Sequence, residues 1–187
     1  MEKVIVNSKR KSSTYEMAGI ALMAALMCIL GPMSIPVGAV PITLTNLVVY
    51  LAVYLLGTKK GTTSYGIYLV LGIFGLPVFS GYSGGVAKLA GPTGGYLIGF
   101  IFMALVTGTV IKLACYHVVW SVMGMVAATF IAYAFGTGWF VVQAQCKVAY
   151  ALGVCVFPFL LGDFIKIVSA AFLGPVIRRQ LAKANLL

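Results

Sequence analysis

Acidic residues are nearly absent from this chain. Its 187 residues include only three, Glu2, Glu16 and Asp163. Charged residues of both signs make up 9%, against roughly 25% in a typical soluble domain. With 61% apolar residues, so little polar surface excludes a soluble globular protein. The same apolar content excludes disorder, which needs low hydrophobicity. Histidine occurs once, at position 117. It is placed at a membrane edge as an interfacial side chain rather than a catalytic one. No Walker-type phosphate loop is present, so the chain is not expected to power transport by itself. The four cysteines, Cys28, Cys115, Cys146 and Cys155, lack metal-type spacing. They are expected as small apolar packing residues, with a disulfide or metal role as the weaker alternative.

What the chain does have is long apolar runs with basic ends. A formal net charge of +10 would suit a nucleic-acid binder only if the charges had a soluble face on which to cluster. A bilayer core of roughly 30 Å takes about 20 apolar residues as a helix. Six segments qualify: 14–32, 43–57, 62–77, 94–114, 117–136 and 147–175. The second and third are short and meet at a Lys59-Lys60 turn. The runs do not alternate as barrel strands do. The expected fold class is therefore an all-α integral membrane protein with six transmembrane helices in a single domain over 1–187. The basic stretch at the amino terminus leads into a run long enough to span, so it is not expected to be a cleaved signal peptide.

The lysines and arginines give the orientation. With both termini cytoplasmic, the inner face holds Lys3, Lys9, Arg10, Lys11, Lys59, Lys60, Lys112, Arg178, Arg179 and Lys183, ten of the 13. The outer loops hold Lys88 and Lys147, and Lys166 lies within a span. That asymmetry follows the positive-inside rule. Trp120 and Trp139 fall at an inner and an outer boundary, where interfacial tryptophans sit. Glu16 is expected to cap the start of the first helix, where its charge meets the helix dipole.

Two regions carry candidate chemistry. The outer loop 78–93 and its flanks hold six of the 22 glycines between positions 80 and 95. Pro92 and Thr93 stand where a helix can start. The loop reads either as a connector or as a lid, with backbone amides and Ser83 facing a ligand. The second region is Asp163 and Lys166, three apart on one face of the last span. A lone charge mid-bilayer costs at least about 2.5–3.5 kcal/mol, so such residues pair and mark sites. The alternatives are an ion pair that only holds the bundle together and a ligand site for a small amphipathic molecule. Pro158 and Gly162 are expected to weaken the helix just before the pair. On the first helix, Ala21 and Ala25 form a small-xxx-small pattern. It suits either packing within the chain or docking of a separate membrane subunit.

The run Gly75-Leu76-Pro77-Val78-Phe79, then Gly84-Gly85, then Gly91-Pro92-Thr93-Gly94-Gly95-Tyr96, resembles the signature of BioY proteins. These are the biotin-binding substrate (S) components of energy-coupling factor (ECF) transporters. The step Gly162-Asp163-x-x-Lys166, the entry Val40-Pro41-Ile42-Thr43 and the exit Leu55-Leu56-Gly57 agree as well. The resemblance covers nearly the whole chain. It implies high-affinity capture of biotin from outside a bacterial or archaeal cell by a multi-pass protein of the cytoplasmic membrane. It implies docking on a transmembrane coupling subunit driven by two ATPase subunits, so ATP is used by partners and no cofactor or metal is expected here. Asp163 and Lys166 would bind biotin, with Tyr82, Ser83, Gly84 and Gly85 in the closing loop. Ala21 and Ala25 would slide on the coupling subunit. Asn46 joins the candidate ligand set. Many relatives have glutamine where Thr45 stands, and some a basic residue at Leu97; Lys88 is a candidate substitute partner for a carboxylate. An S component for another vitamin is the near alternative. A small membrane enzyme using Asp163 and Lys166 is the distant one, and a channel lacks polar pore lining.

Overall fold

The computed structural model describes residues 2–37 and 40–184, with side chains from residue 14 onward. Lys3, Lys9, Arg10 and Lys11, four of the residues used to orient the chain, therefore lie outside the described side chains. Among the described residues there are eight helices and one short hairpin. The helices are α1 (Glu2–Leu30), α2 (Thr45–Leu56), α3 (Thr58–Ile73), α4 (Val86–Ala90), α5 (Gly94–Leu113), α6 (Val118–Ala144), α7 (Val148–Cys155) and α8 (Phe157–Lys183). The hairpin pairs β1 (Ser34–Ile35) with β2 (Ile42–Thr43), Ser34 opposite Thr43.

The centre of the bundle is α2, which reads TNLVVYLAVYLL and is apolar on every side. A helix of that kind is buried in a protein core or in a membrane, and here α1, α3, α5 and α8 pack around it. Its Val48, Val49, Tyr50, Val53 and Tyr54 are almost completely buried. The outer surface is the inverse of a soluble protein, with Leu161, Phe164 and Phe172 all more than 60% exposed along α8. So much exposed apolar surface suits contact with lipid. Helices α5, α6 and α8 are long and apolar enough to cross a membrane, and Thr14–Leu30 and α2 are shorter apolar helices.

Several expected boundaries are corrected. The first helix starts at residue 2, so Glu16 does not stand at a helix start. It reaches across to α3 and pairs with Lys60 at 2.7 Å. Lys59 and Lys60 are not in a turn, because Gly57 alone (φ 80°) divides α2 from α3. The fifth segment does not end at Gly136-Thr137-Gly138. A Cβ on Gly136 would lie 2.3 Å from the Tyr96 ring, so this glycine makes room for packing and the helix runs on to Ala144. The last segment is two helices, broken at Val156 (φ −124°, ψ −58°). Pro158 then sits in the first turn of α8, where its missing N–H leaves no bond unmade, and the helix passes unbroken through Gly162. It also continues beyond Pro175 to Lys183.

Helices α5 and α6 form an antiparallel pair joined at Ala114–His117, with Cys115 and Tyr116 in left-handed conformation. Small residues let the two backbones approach, as lipid-embedded helices require. A Cβ on Gly95 would lie 2.3 Å from Trp139 Cβ. At that same helix start, a Cβ on Gly94 would lie 1.7 Å from the Leu89 carbonyl oxygen. Gly94→Ala is expected to cost about 1–3 kcal/mol through overpacking. It should lower the thermal midpoint in detergent, and an unchanged midpoint would count against this packing account.

At the other end of the bundle, Arg178 on α8 donates to the carbonyls of Tyr54 and Leu55 at 3.3 and 3.1 Å. These are among the last carbonyls of α2, which lack partners within their own helix. The same guanidinium lies 3.8 Å from the centre of the Tyr116 ring.

Candidate functional site

Asp163 and Lys166 meet as their spacing predicts. Lys166 Nζ donates to Asp163 Oδ1 at 3.0 Å, and the residues are only 7% and 6% exposed. Asn46 Nδ2, near the start of α2, donates to the same oxygen at 2.8 Å. Tyr133 on α6 donates its hydroxyl to Oδ2 at 2.6 Å. The carboxylate thus gathers α2, α6 and α8 around one negative charge.

All four residues line one cavity. Its walls carry Tyr68, Phe79, Tyr96, Phe100 and Phe159, with Val40 and Pro41 from the stretch before α2. The ring of Tyr96 stacks on Phe159 at 6.5 Å, and its hydroxyl donates to the carbonyl of Cys155 at 2.6 Å. That carbonyl lies at the break between α7 and α8. Tyr96 therefore ties the cavity wall to the point where the helix ends. Thr45 and Leu97, the two positions where the chain departs from the pattern it resembles, both line the cavity.

The glycine-rich loop contributes Phe79, Ser80, Lys88 and Thr93 to the wall. Tyr82, Ser83, Gly84 and Gly85 do not line it. Phe79 and Ser83 exchange backbone hydrogen bonds at 2.9 and 3.3 Å, closing a tight hairpin. Ser83 Oγ donates to the Ser80 carbonyl at 2.8 Å, and Tyr82 points away, 69% exposed. A Cβ on Gly84 would lie 2.3 Å from the Leu76 carbonyl. The Gly85 amide is used by the Gly72 carbonyl at 2.7 Å. In this structure Ser83 is bonded within the loop, and the Gly85 amide ties the loop to α3.

Two side chains of α6 hold the loop. Trp139 Nε1 donates to the Gly91 carbonyl at 2.9 Å, and Gln143 Nε2 donates to the Ala90 carbonyl. Lys88 Nζ reaches the Ser80 carbonyl at 3.4 Å. Partial burial lowers its pKa from the ordinary lysine value, because the charged form loses hydration. Among the described residues no cluster of three metal-ligating side chains occurs.

Sequence reasoning did not single out Tyr133 or Tyr96. The available signal was indirect, since a buried tyrosine needs an acceptor for its hydroxyl and a buried carboxylate needs several donors. Ala21 and Ala25 are both exposed on α1, and neither lines the cavity.

Comparison with known proteins gives concordant matches. The family model described as the BioY family matches residues 6–183. A biotin transporter BioY of Thermotoga maritima is 40% identical over 154 residues, 82% of this chain and 89% of that protein. Biotin transporter BioY2 of Lactococcus lactis subsp. cremoris is 32% identical over 178 residues, 94% and 97% of the two chains. Among solved structures, the crystal structure of the S-component for biotin from an ECF-type ABC transporter superposes with a TM-score of 0.82. That match is 32% identical and covers 92% of this chain and 93% of the other.

Proposed function

This chain belongs to the BioY family, and from that premise we propose that it is a biotin-binding S component that captures the vitamin outside the cell for an ECF-type transporter. The observation that carries the reading is the Asp163 carboxylate, fixed by three donors on the wall of an otherwise largely apolar and aromatic cavity.

Hydrogen-bond capacity orients the ligand. A carboxylate has about four lone-pair sites. Asn46 and Lys166 fill those on Oδ1, while Tyr133 takes one on Oδ2. Oδ2 is left with room for one N–H donor. Lys166 has one acceptor among the described residues, so it keeps donors for a ligand oxygen. The ureido ring of biotin offers N–H groups beside a carbonyl, and its sulfur ring and aliphatic chain suit the aromatic walls. The molecule is bound and passed on without chemical change.

The membrane arrangement follows the basic residues. Six crossings with both termini in the cytoplasm put the glycine-rich loop and Lys88 outside, and Arg178, Arg179 and Lys183 inside. The partners are a transmembrane coupling subunit and two ATPases, which use the ATP. The exposed face with Ala21 and Ala25 is the docking surface, since small residues admit another helix closely in lipid.

Titration of the purified protein with biotin tests the reading. Saturable binding at low concentration is expected, and its absence sinks the proposal. Lys166→Met should weaken binding by more than tenfold, or about 1.4 kcal/mol. Unchanged affinity would leave the lysine with only a structural part.

A further inference from the structure

A second hollow lies between α6 and α7, with Val156 from the break before α8 in its lining. Its volume is about 480 Å³, within the range of about 300–1,000 Å³ in which small-molecule sites fall. Phe130, Val148 and Leu152 on its wall are exposed, so it is a groove on the apolar outside of the bundle. Gly138 lines it too, and a Cβ built there would meet nothing within 4 Å. A glycine inside a helix is less stable than alanine, and no neighbour in the described chain requires one here. One turn of thought along the same helix shows the contrast, since the place beside Gly136 is filled by the Tyr96 ring. The space at Gly138 is left for something outside the chain. Next to the groove stands Lys147, directly before Val148. It is exposed and meets no carboxylate among the described residues.

Length selects the occupant. Phe130 and Val141, both on the wall, lie about three turns apart on α6, or about 16 Å. That is about half of the roughly 30 Å hydrocarbon core. It is the depth of one leaflet, which one acyl chain fills, whereas a partner helix would run on through both. The wall asks for little hydrogen bonding, because Tyr133 spends its hydroxyl on Asp163 and Thr137 is buried. A cation at the membrane surface attracts anionic headgroups, and Lys147 stands at the end of the groove where a headgroup would lie. We infer that the groove binds one acyl chain of an anionic phospholipid, whose phosphate meets Lys147. The inference does not depend on which ligand the inner cavity takes. The two spaces share Tyr133 as a wall, so the chain lies against the ring whose hydroxyl fixes Asp163.

The test titrates the delipidated full chain in detergent with phosphatidylglycerol and with diacylglycerol, which keeps the acyl chains and loses the phosphate. Native mass spectrometry reads the first lipid bound and the oligomeric mass together. The wild type should hold one phosphatidylglycerol at least threefold more tightly than one diacylglycerol. Gly138→Phe fills the groove and should weaken the first binding of both lipids by at least tenfold. Its thermal midpoint should be no lower than that of the wild type, because the new side chain enters open space. Lys147→Gln should bring phosphatidylglycerol down to the level of diacylglycerol and leave diacylglycerol unchanged. The inference is overturned if Gly138→Phe retains phosphatidylglycerol as the wild type does, or if Lys147→Gln leaves the preference for phosphatidylglycerol intact. It is also overturned if Gly138→Phe loses a dimer mass and keeps its lipid, since the groove would then receive a second copy of the chain.

Discussion

Asp163→Ala should abolish measurable biotin binding and lower the thermal midpoint of the empty protein. Removing the carboxylate strands three donors at once, Asn46 Nδ2, Tyr133 Oη and Lys166 Nζ. One of them is a buried cation. Breaking a buried pair by deleting one partner costs about 3–5 kcal/mol, most of it from the charge left behind. The same deletion takes away the only anionic acceptor on the cavity wall among the described residues. Asp163→Asn separates the two effects, because it keeps the shape and some accepting capacity. Its amide nitrogen, however, must face a donor on one side or the other. Binding should fall by more than tenfold, and the thermal midpoint should move less than in Asp163→Ala. Wild-type affinity in Asp163→Asn would reduce the cluster to a structural ion pair, with titration and thermal unfolding in detergent as the measurements.

The second large effect is expected in cells rather than in the binding assay. Ala21 and Ala25 lie one turn apart on an exposed face of α1, beside Leu22, which is 65% exposed. Neither is buried, so both stay open to a further neighbour. A neighbouring helix that packs there needs their small size. Ala21→Leu with Ala25→Leu should reduce biotin uptake by more than tenfold when the ECF partners are present. The affinity of the purified protein for biotin should stay within twofold of wild type. Uptake at the wild-type rate would move the docking surface to another face. Loss of both uptake and binding would mean that the face serves the fold.

The membrane character and the charged pair were legible because both depend on scarcity. With three acids in the chain, an aspartate inside an apolar run stands out, and a lysine three residues on can only share its face. The break at Val156 was not legible, because the apolar run from Val148 to Phe157 has no interruption and the tie that marks it comes from Tyr96, 59 residues away. Gly136 read as a helix end because its packing partner, the same tyrosine, lies on another helix. Asn46 entered only through the resemblance, and Tyr133 not at all, since ten tyrosines give no reason to choose one. The loop's glycines were legible as a special backbone. Their spacing could not say that Ser83 would turn inward to Ser80 while Lys88 and Thr93 faced the cavity.

The two bonds from Trp139 and Gln143 to the loop carbonyls have a kinetic consequence. The wall that carries Lys88 is fastened before any ligand arrives, so its displacement requires two hydrogen bonds to open together. A ligand that passes this wall is expected to enter and leave no faster than the loop opens. The same fastening is expected to lengthen the time a captured molecule stays, since affinities within one series of related complexes differ mostly through dissociation rates. Loosening the latch would shorten residence without altering a single atom that touches the ligand.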